Sequence, residues 1–171
     1  MNGAPWKLLL LAGEKMVHIR KIASSDTEPV KELVSDIMQN EFSAENKVYS
    51  FHDLDNPIHY YNGKKDIFLV AEKDGNIVGT VAIKEDSTDT ALLRRVFVRK
   101  DFRGKGYGEK LVKEAVKFCF AHQYNTITFR GTDRMQQALN LCLKQGFTED
   151  DIVVGSDFKM FVLTKELAKD I

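Results

Sequence analysis

The sequence predicts a mixed α/β domain, antiparallel in its front half and closed by a β-α-β crossover behind. Three observations predict it. An Asp-Gly turn, Lys73-Asp74-Gly75-Asn76, separates two apolar runs, IFLVAE and IVGTVAIK, the signature of a hairpin. Two later segments, opening near Gly108 and Met135, carry apolar residues at helical spacing. Between those segments stands the strand-like run TITFR, so strand and helix alternate through the second half.

Val17 to Ile22 (VHIRKI) alternates like a strand. Ser25-Asp26-Thr27 offers helix-capping chemistry, and Pro29 falls in the first turn, where its missing N–H does no harm. Val30, Leu33, Val34, Ile37 and Met38 then follow at helical spacing. Residues 41 to 65 are rich in Asp, Asn and aromatics and read as a helix fragment with loops. The hairpin Ile67 to Lys84 comes next, then a strand from Ala91 to Val98. The helix from Gly108 keeps Leu111, Val112, Ala115, Val116 and Cys119 on one face, with Lys110, Lys113, Glu114 and Lys117 on the other. Thr126 to Arg130 is a strand and Met135 to Lys144 a helix, ended by Gly146 in the C′ position and followed by Phe147. Ile152 to Val154 and Lys159 to Thr164 close the order as two strands around a Gly-Ser-Asp turn.

A chain of 171 residues suggests one domain with room for a real core. We place that domain at residues 16–171 and read residues 1–15 (MNGAPWKLLLLAGEK) as an extension outside it. LLLLA is too short to span a bilayer, and Lys7 with Gly13-Glu14-Lys15 makes a poor signal sequence. Gly-Glu-Lys before Met16 is encodable by a purine-rich tract resembling a ribosome-binding site, so Met16 is the expected native start. The 25 basic and 25 acidic residues cancel, which argues against nucleic acid as a partner. Cys119 and Cys142 both fall in apolar helical patterns and read as reduced thiols of a cytoplasmic protein. They form no metal-ligand spacing with His18, His52, His59 or His122.

The stretch Arg99 to Lys110, RKDFRGKGYGEK, sets Gly104, Gly106 and Gly108 at every second position between a strand and a helix. Glycines so spaced tolerate positive φ and let successive N–H groups converge on an anion. The helix behind them adds unpaired N–H groups and the positive end of its dipole. Arg103 and Lys105 supply charge. A phosphate or pyrophosphate is the natural occupant; the plainer reading is a strand-to-helix turn with solvated basic residues. A Rossmann fingerprint needs G-x-G-x-x-G and an acidic residue about 20 positions on, and a Walker A loop needs G-x-x-x-x-G-K-[ST]. Neither is present.

The run Val98-x4-Arg103-x-x-Gly106-x-Gly108 resembles the acetyl-CoA-binding motif of the GNAT family of N-acetyltransferases: Arg or Gln, two residues, Gly, one residue, Gly or Ala. DIFLVAEKDGNIVGTVAI is similar to that family's central hairpin, and LLRRVFVRKDFRGKGYGEKLV to its strand, cofactor loop and helix. TFRGTDRMQQALNLCLKQGF resembles its next strand and helix, with the usual Gly-Phe end. Together these cover roughly residues 17 to 164 in the family's order. The resemblance implies a mostly antiparallel central sheet, splayed after the fourth strand and flanked by helices. It implies acetyl-CoA as cofactor, with the pantetheine arm on Val96, Phe97 and Val98. The pyrophosphate would lie on Arg103, Gly104, Lys105, Gly106, Tyr107 and Gly108, with Met135 and Ala138 beside the arm. The implied reaction is direct transfer of acetyl to an amine, either a small molecule or an exposed peptide amino group. A homodimer is common among relatives.

Two positions depart from the family. Leu92 stands where many relatives carry a glutamate, and Cys142 where many carry a tyrosine that protonates the leaving thiolate. Cys142 reads either as a thiol acid or as a small core filler. For the base, Glu41 is preferred, because the end of the first helix usually borders the acceptor cleft in this family. Glu45, Glu85, Asp53 and Asp55 are further candidate bases whose plainer reading is a solvated carboxylate, and His52 and His59 are candidate bases by intrinsic pKa whose plainer reading is a surface loop histidine. Arg94 and Arg95 alternate on a strand, one to each face, and the one on the cleft side reads either as a partner for a substrate carboxylate or as an ordinary sheet-surface arginine. Tyr49, Phe51, Tyr60 and Tyr61 either line an acceptor pocket or pack the loops. The competing function is an acyl-CoA-binding sensor or regulatory module with weak or no catalysis.

Overall fold

The computed structural model describes residues 16–168; the expected extension over residues 1–15 lies outside the described residues. Seven strands form one sheet: β1 (His18–Lys21), β2 (Ile67–Lys73), β3 (Asn76–Glu85), β4 (Thr90–Val98), β5 (Thr126–Thr132), β6 (Thr148–Val154) and β7 (Lys159–Glu166). Their order is β1-β2-β3-β4-β5-β7-β6. Every neighbouring pair is antiparallel except β4 with β5. Four helices, α1 (Thr27–Glu41), α2 (Pro57–Tyr60), α3 (Tyr107–Ala121) and α4 (Gln136–Lys144), complete the fold.

The sheet has two apolar faces, and the period-2 alternation of its strands feeds both. Phe68, Val70 and Ala82 pack with Val30, Leu33, Val34, Ile37 and Met38 of α1. Leu69, Ala71, Val81 and Ile83 pack with Leu111, Val112, Ala115 and Cys119 of α3 and with Leu139 and Cys142 of α4. Each such large side chain, withdrawn fully from water, favours the fold by about 1.5–3 kcal/mol.

Local chemistry fixes the joints. Asp74 (φ 52°) and Gly75 (φ 80°) both have positive φ, the geometry of a type I′ hairpin turn. Asp26 precedes α1 but does not cap it; its carboxylate accepts from the Ala23 N–H at 2.7 Å and from Arg20 at 2.7 and 3.0 Å, fastening the helix to β1. At the end of α4, Gly146 adopts φ 87°. There Phe147 N–H donates to the Cys142 carbonyl and Gly146 N–H to that of Leu143, each at 3.1 Å, the paired bonds of a Schellman motif. Residues 42–56 hold two short 3₁₀ turns, Glu45–Lys47 and His52–Leu54. Strand β6 begins at Thr148, earlier than its apolar residues suggest; all seven of its residues are exposed, so an edge strand pairing only with β7 leaves no alternation to read.

Two irregularities of β4 shape the site. It pairs with β5 only from Thr90↔Thr126 to Leu93↔Phe129. Beyond that β5 continues beside β7 alone, and the stretch Arg94 to Val98 has no strand partner on the β5 side. On the other side, Thr80 pairs with Phe97 but Ala82 with Arg94. Two steps on β3 against three on β4 make a bulge, and Arg95 within it has φ 56°. The Thr80 hydroxyl donates to the Arg95 carbonyl at 2.7 Å and holds the kink.

Candidate active site

The splay of β4 from β5 opens a cleft of about 600 Å³, a volume suited to a small-molecule ligand. Val96, Phe97 and Val98 form one wall; Met135 and Ala138, at the start of α4, form part of another. Arg103 lies at one end, Leu92, Arg94, Thr128 and Arg130 towards the apex, and Tyr49 and Glu41 reach in from the α1 side. An unpartnered strand edge in an apolar cleft offers a row of N–H and C=O groups to an extended amide-bearing ligand.

The turn into α3 abuts this cleft at Arg103. Gly104 (φ 75°) and Gly106 (φ 82°) take the left-handed conformation, which an L side chain adopts only with strain. A Cβ built on either meets nothing within 4 Å, so open space lies above both. Gly106 is the N-cap of α3, and no side chain caps the helix. Its first-turn N–H groups therefore face outward without an intrahelical acceptor. Gly108 is glycine for another reason: a Cβ there would stand 2.6 Å from Leu141 Cδ1. These features fit a pyrophosphate, and with the free β4 edge they fit coenzyme A as a whole.

The side chains in this turn do less than the sequence suggests. Arg103 is held by Glu41 through two 2.7 Å hydrogen bonds, while its Nε donates to the Val98 carbonyl at 2.8 Å. The Tyr107 side chain is buried, and its hydroxyl accepts from Lys73 at 2.9 Å. Lys105 is exposed.

Against this geometry, residues 30–147 match the family model described as Acetyltransferase (GNAT) family. The chain belongs to the GNAT acetyltransferase family. It is 30% identical over 103 residues to Probable N-acetyltransferase camello of Xenopus tropicalis, covering 59% of this chain and 47% of that protein. It is 33% identical over 90 residues to N-acetylaspartate synthetase of Homo sapiens, covering 52% of this chain and 30% of that protein. The chain thus spans less than half the length of these two curated relatives. In fold it matches yncA, a putative acetyltransferase from Salmonella typhimurium solved with its cofactor acetyl-CoA, at a TM-score of 0.75 and 16% identity over 92% of this chain and 97% of the other.

Within this GNAT domain, both residues expected to move protons are engaged otherwise. Cys142 is fully buried in the α3–α4 core and does not line the cleft. Burial pushes its thiol up to about 12. Glu41 does line the cleft, but hydrogen bonds and charge from Arg103 hold its carboxyl below the ordinary range, against the opposing effect of burial. A carboxylate so held is a poor base.

Two carboxylates expected in solvent are buried. Asp53 is 2% exposed and takes Arg95 Nε at 3.0 Å, Arg95 Nη2 at 2.5 Å and the Tyr61 hydroxyl at 2.6 Å. Glu45 is fully buried; one oxygen accepts from the Thr132 hydroxyl at 3.3 Å and the other has no hydrogen bond. Arg94 and Arg95 do not face opposite ways. The bulge turns both towards the 42–61 segment: Arg94 donates to the Tyr60 hydroxyl at 3.3 Å, and Arg95 donates to the Ser50 carbonyl at 2.6 Å besides holding Asp53. The loop aromatics divide. Tyr49 lines the cleft, and burial, with the charge of Glu45, pushes its hydroxyl up to about 12, so it stays a donor. Tyr61 packs edge-on against Tyr60 at 4.9 Å and Phe68 at 5.3 Å. Arg130 and Arg134, which the sequence reading passed over, also line the cleft. Alternation along TITFR puts Arg130 on one face with Thr128, but only the parallel register with β4 brings it to the cleft.

Among the described residues no helix is long and apolar enough to cross a membrane.

Proposed function

We propose that this domain is an acetyl-CoA-dependent N-acetyltransferase whose acceptor is the amine of a small molecule. One observation carries the reading: the partnerless edge of β4 leads directly into an uncapped, glycine-lined helix N-terminus at the mouth of a single cleft. Acetyl-CoA supplies the acetyl group as a thioester. The backbone of Val96 to Val98 would hold the pantetheine amides as an added strand. The N–H groups of residues 104–108 would hold the pyrophosphate. N–H groups around Val96 would face the carbonyl oxygen of the bound thioester, where negative charge builds during attack. An alkyl amine, with a pKa near ~10, must lose a proton first.

With Leu92 apolar, Cys142 in the core and Glu41 tied to Arg103, we assign that proton to solvent admitted through the cleft, and give Glu41 the task of anchoring Arg103. Glu41→Gln is then expected to leave the acid limb of the pH–rate profile in place; displacement of that limb would return Glu41 to the role of base. Cys142→Ala is expected to keep turnover within about twofold while lowering stability by about 1–2 kcal/mol, as for a small buried side chain. A tenfold loss of turnover with the fold intact would make the thiol an acid after all.

The alternative is an acyl-CoA-binding sensor, favoured by this same scarcity of free proton-transfer groups. Release of coenzyme A thiol from acetyl-CoA over a panel of amines separates the two. Acceptor-dependent release supports the enzyme; coenzyme A binding without it supports the sensor.

A further inference from the structure

Five arginines line the cleft, Arg94, Arg95, Arg103, Arg130 and Arg134, against one lining carboxylate, Glu41. Three of the five have acidic neighbours: Arg95 has Asp53, Arg103 has Glu41, and Arg134 Nε lies 3.6 Å from Glu45. Arg94 makes no ion pair among the described residues: it donates to the Tyr60 hydroxyl at 3.3 Å, contacts the same ring, and feels the Asp53 charge, which Arg95 already matches, only through space. Arg130 makes no ion pair or hydrogen bond among the described residues. The two are neighbours by register. Leu92 pairs with Thr128, and Arg94 and Arg130 stand two residues further along their parallel strands, on the same face and at the start of the splay.

Two like charges lining one cleft, neither in an ion pair among the described residues, suit an anion. The anionic groups of coenzyme A do not supply it, on the reading proposed above. Its pyrophosphate and ribose phosphate belong at the glycine turn, beyond Val98. The arm then runs back along β4 towards Val96, so its thiol end approaches Arg94 and its phosphates lie away from it. What meets Arg94 and Arg130 is the acceptor.

We propose that Arg94 and Arg130 form a carboxylate-binding subsite for the acceptor, which is a small amino acid whose carboxylate lies a few bonds from the reacting amine. Arg94 stands two residues before Val96 across the bulge, at most about 7 Å of chain, a span that such a molecule bridges. Guanidinium groups suit this task because their forked donors match both carboxylate oxygens. The subsite rests on the acetyltransferase reading, and its test is kept separable from it.

The probes are α-, β- and γ-amino acids and acidic amino acids, each paired with its carboxamide, at saturating acetyl-CoA. The carboxylates are expected to exceed their amides at least tenfold in kcat/KM. Arg94→Gln and Arg130→Gln are each expected to raise KM for the carboxylate by about tenfold or more, with kcat and amide turnover little changed. Amides turned over as well as carboxylates, or variants that slow both alike, overturn the subsite while leaving the enzyme reading intact. Should no amine be turned over, the enzyme reading fails. The subsite is then decided by calorimetry on the coenzyme A-loaded chain: a carboxylate that binds the wild type and not Arg94→Gln supports it, and equal or absent binding overturns it.

Discussion

Asp53→Ala is expected to lower stability by about 3–5 kcal/mol, because it leaves the Arg95 guanidinium buried without its counter-charge. Both side chains are almost fully enclosed, at 5% and 2% exposure. An exposed pair such as Lys113–Glu109 contributes far less, because solvent screens both charges. Against a typical stability of about 5–15 kcal/mol, the loss is large. It should appear as a fall in melting temperature of roughly 6–20 °C. The pH dependence follows from the sign of the shift. Burial pushes the Asp53 carboxyl up, but the hydrogen bonds and charge of Arg95 outweigh it and hold the carboxyl below its ordinary value. A depressed carboxyl contributes stability that is fully present above its unfolded value of about 3.9 and is lost as pH falls through the folded one. The gap between wild type and variant should therefore be full at neutral pH and close in acid. A gap unchanged down to acid, or a melting temperature moved by a degree or less, would contradict the assignment. Arg95 also sits at φ 56°, a strained position for a non-glycine residue that persists only where its surroundings hold it.

Gly106→Val is expected to weaken coenzyme A binding by at least about tenfold while the domain still folds. A β-branched residue at φ 82° costs about 1–3 kcal/mol, less than a domain's usual margin. Its side chain would fill the open space over the turn and screen the N–H groups that the anion needs. Calorimetric titration and a thermal melt read the two effects separately. Unaltered affinity in a folded variant would remove the turn from the binding site.

How much of this was legible in the sequence depended on how local the cause was. The Asp74-Gly75 turn, the Gly146-Phe147 helix end and the glycine turn before α3 each declare themselves within a few residues, because a positive φ demands glycine or a tolerant neighbour. The apolar spacing of α1 and α3 declares their buried faces. The 42–61 segment does not, since what holds it is an ion pair between residues 42 positions apart; nothing near Asp53 reports that a buried arginine awaits it. The bulge was equally hidden. Alternation alone sends Arg94 and Arg95 to opposite faces, and only pairing with β3 reveals the extra residue that turns them the same way. Glu41 could be placed at the cleft from its helix, but not its engagement by Arg103, which comes from the turn between β4 and α3.

The most direct test of the central claim is a crystal structure of the chain with coenzyme A. The account predicts the pyrophosphate on the amides of residues 104–108 and the pantetheine alongside Val96 to Val98, between β4 and β5. Coenzyme A bound elsewhere, or a cleft without density at saturating ligand, would contradict it.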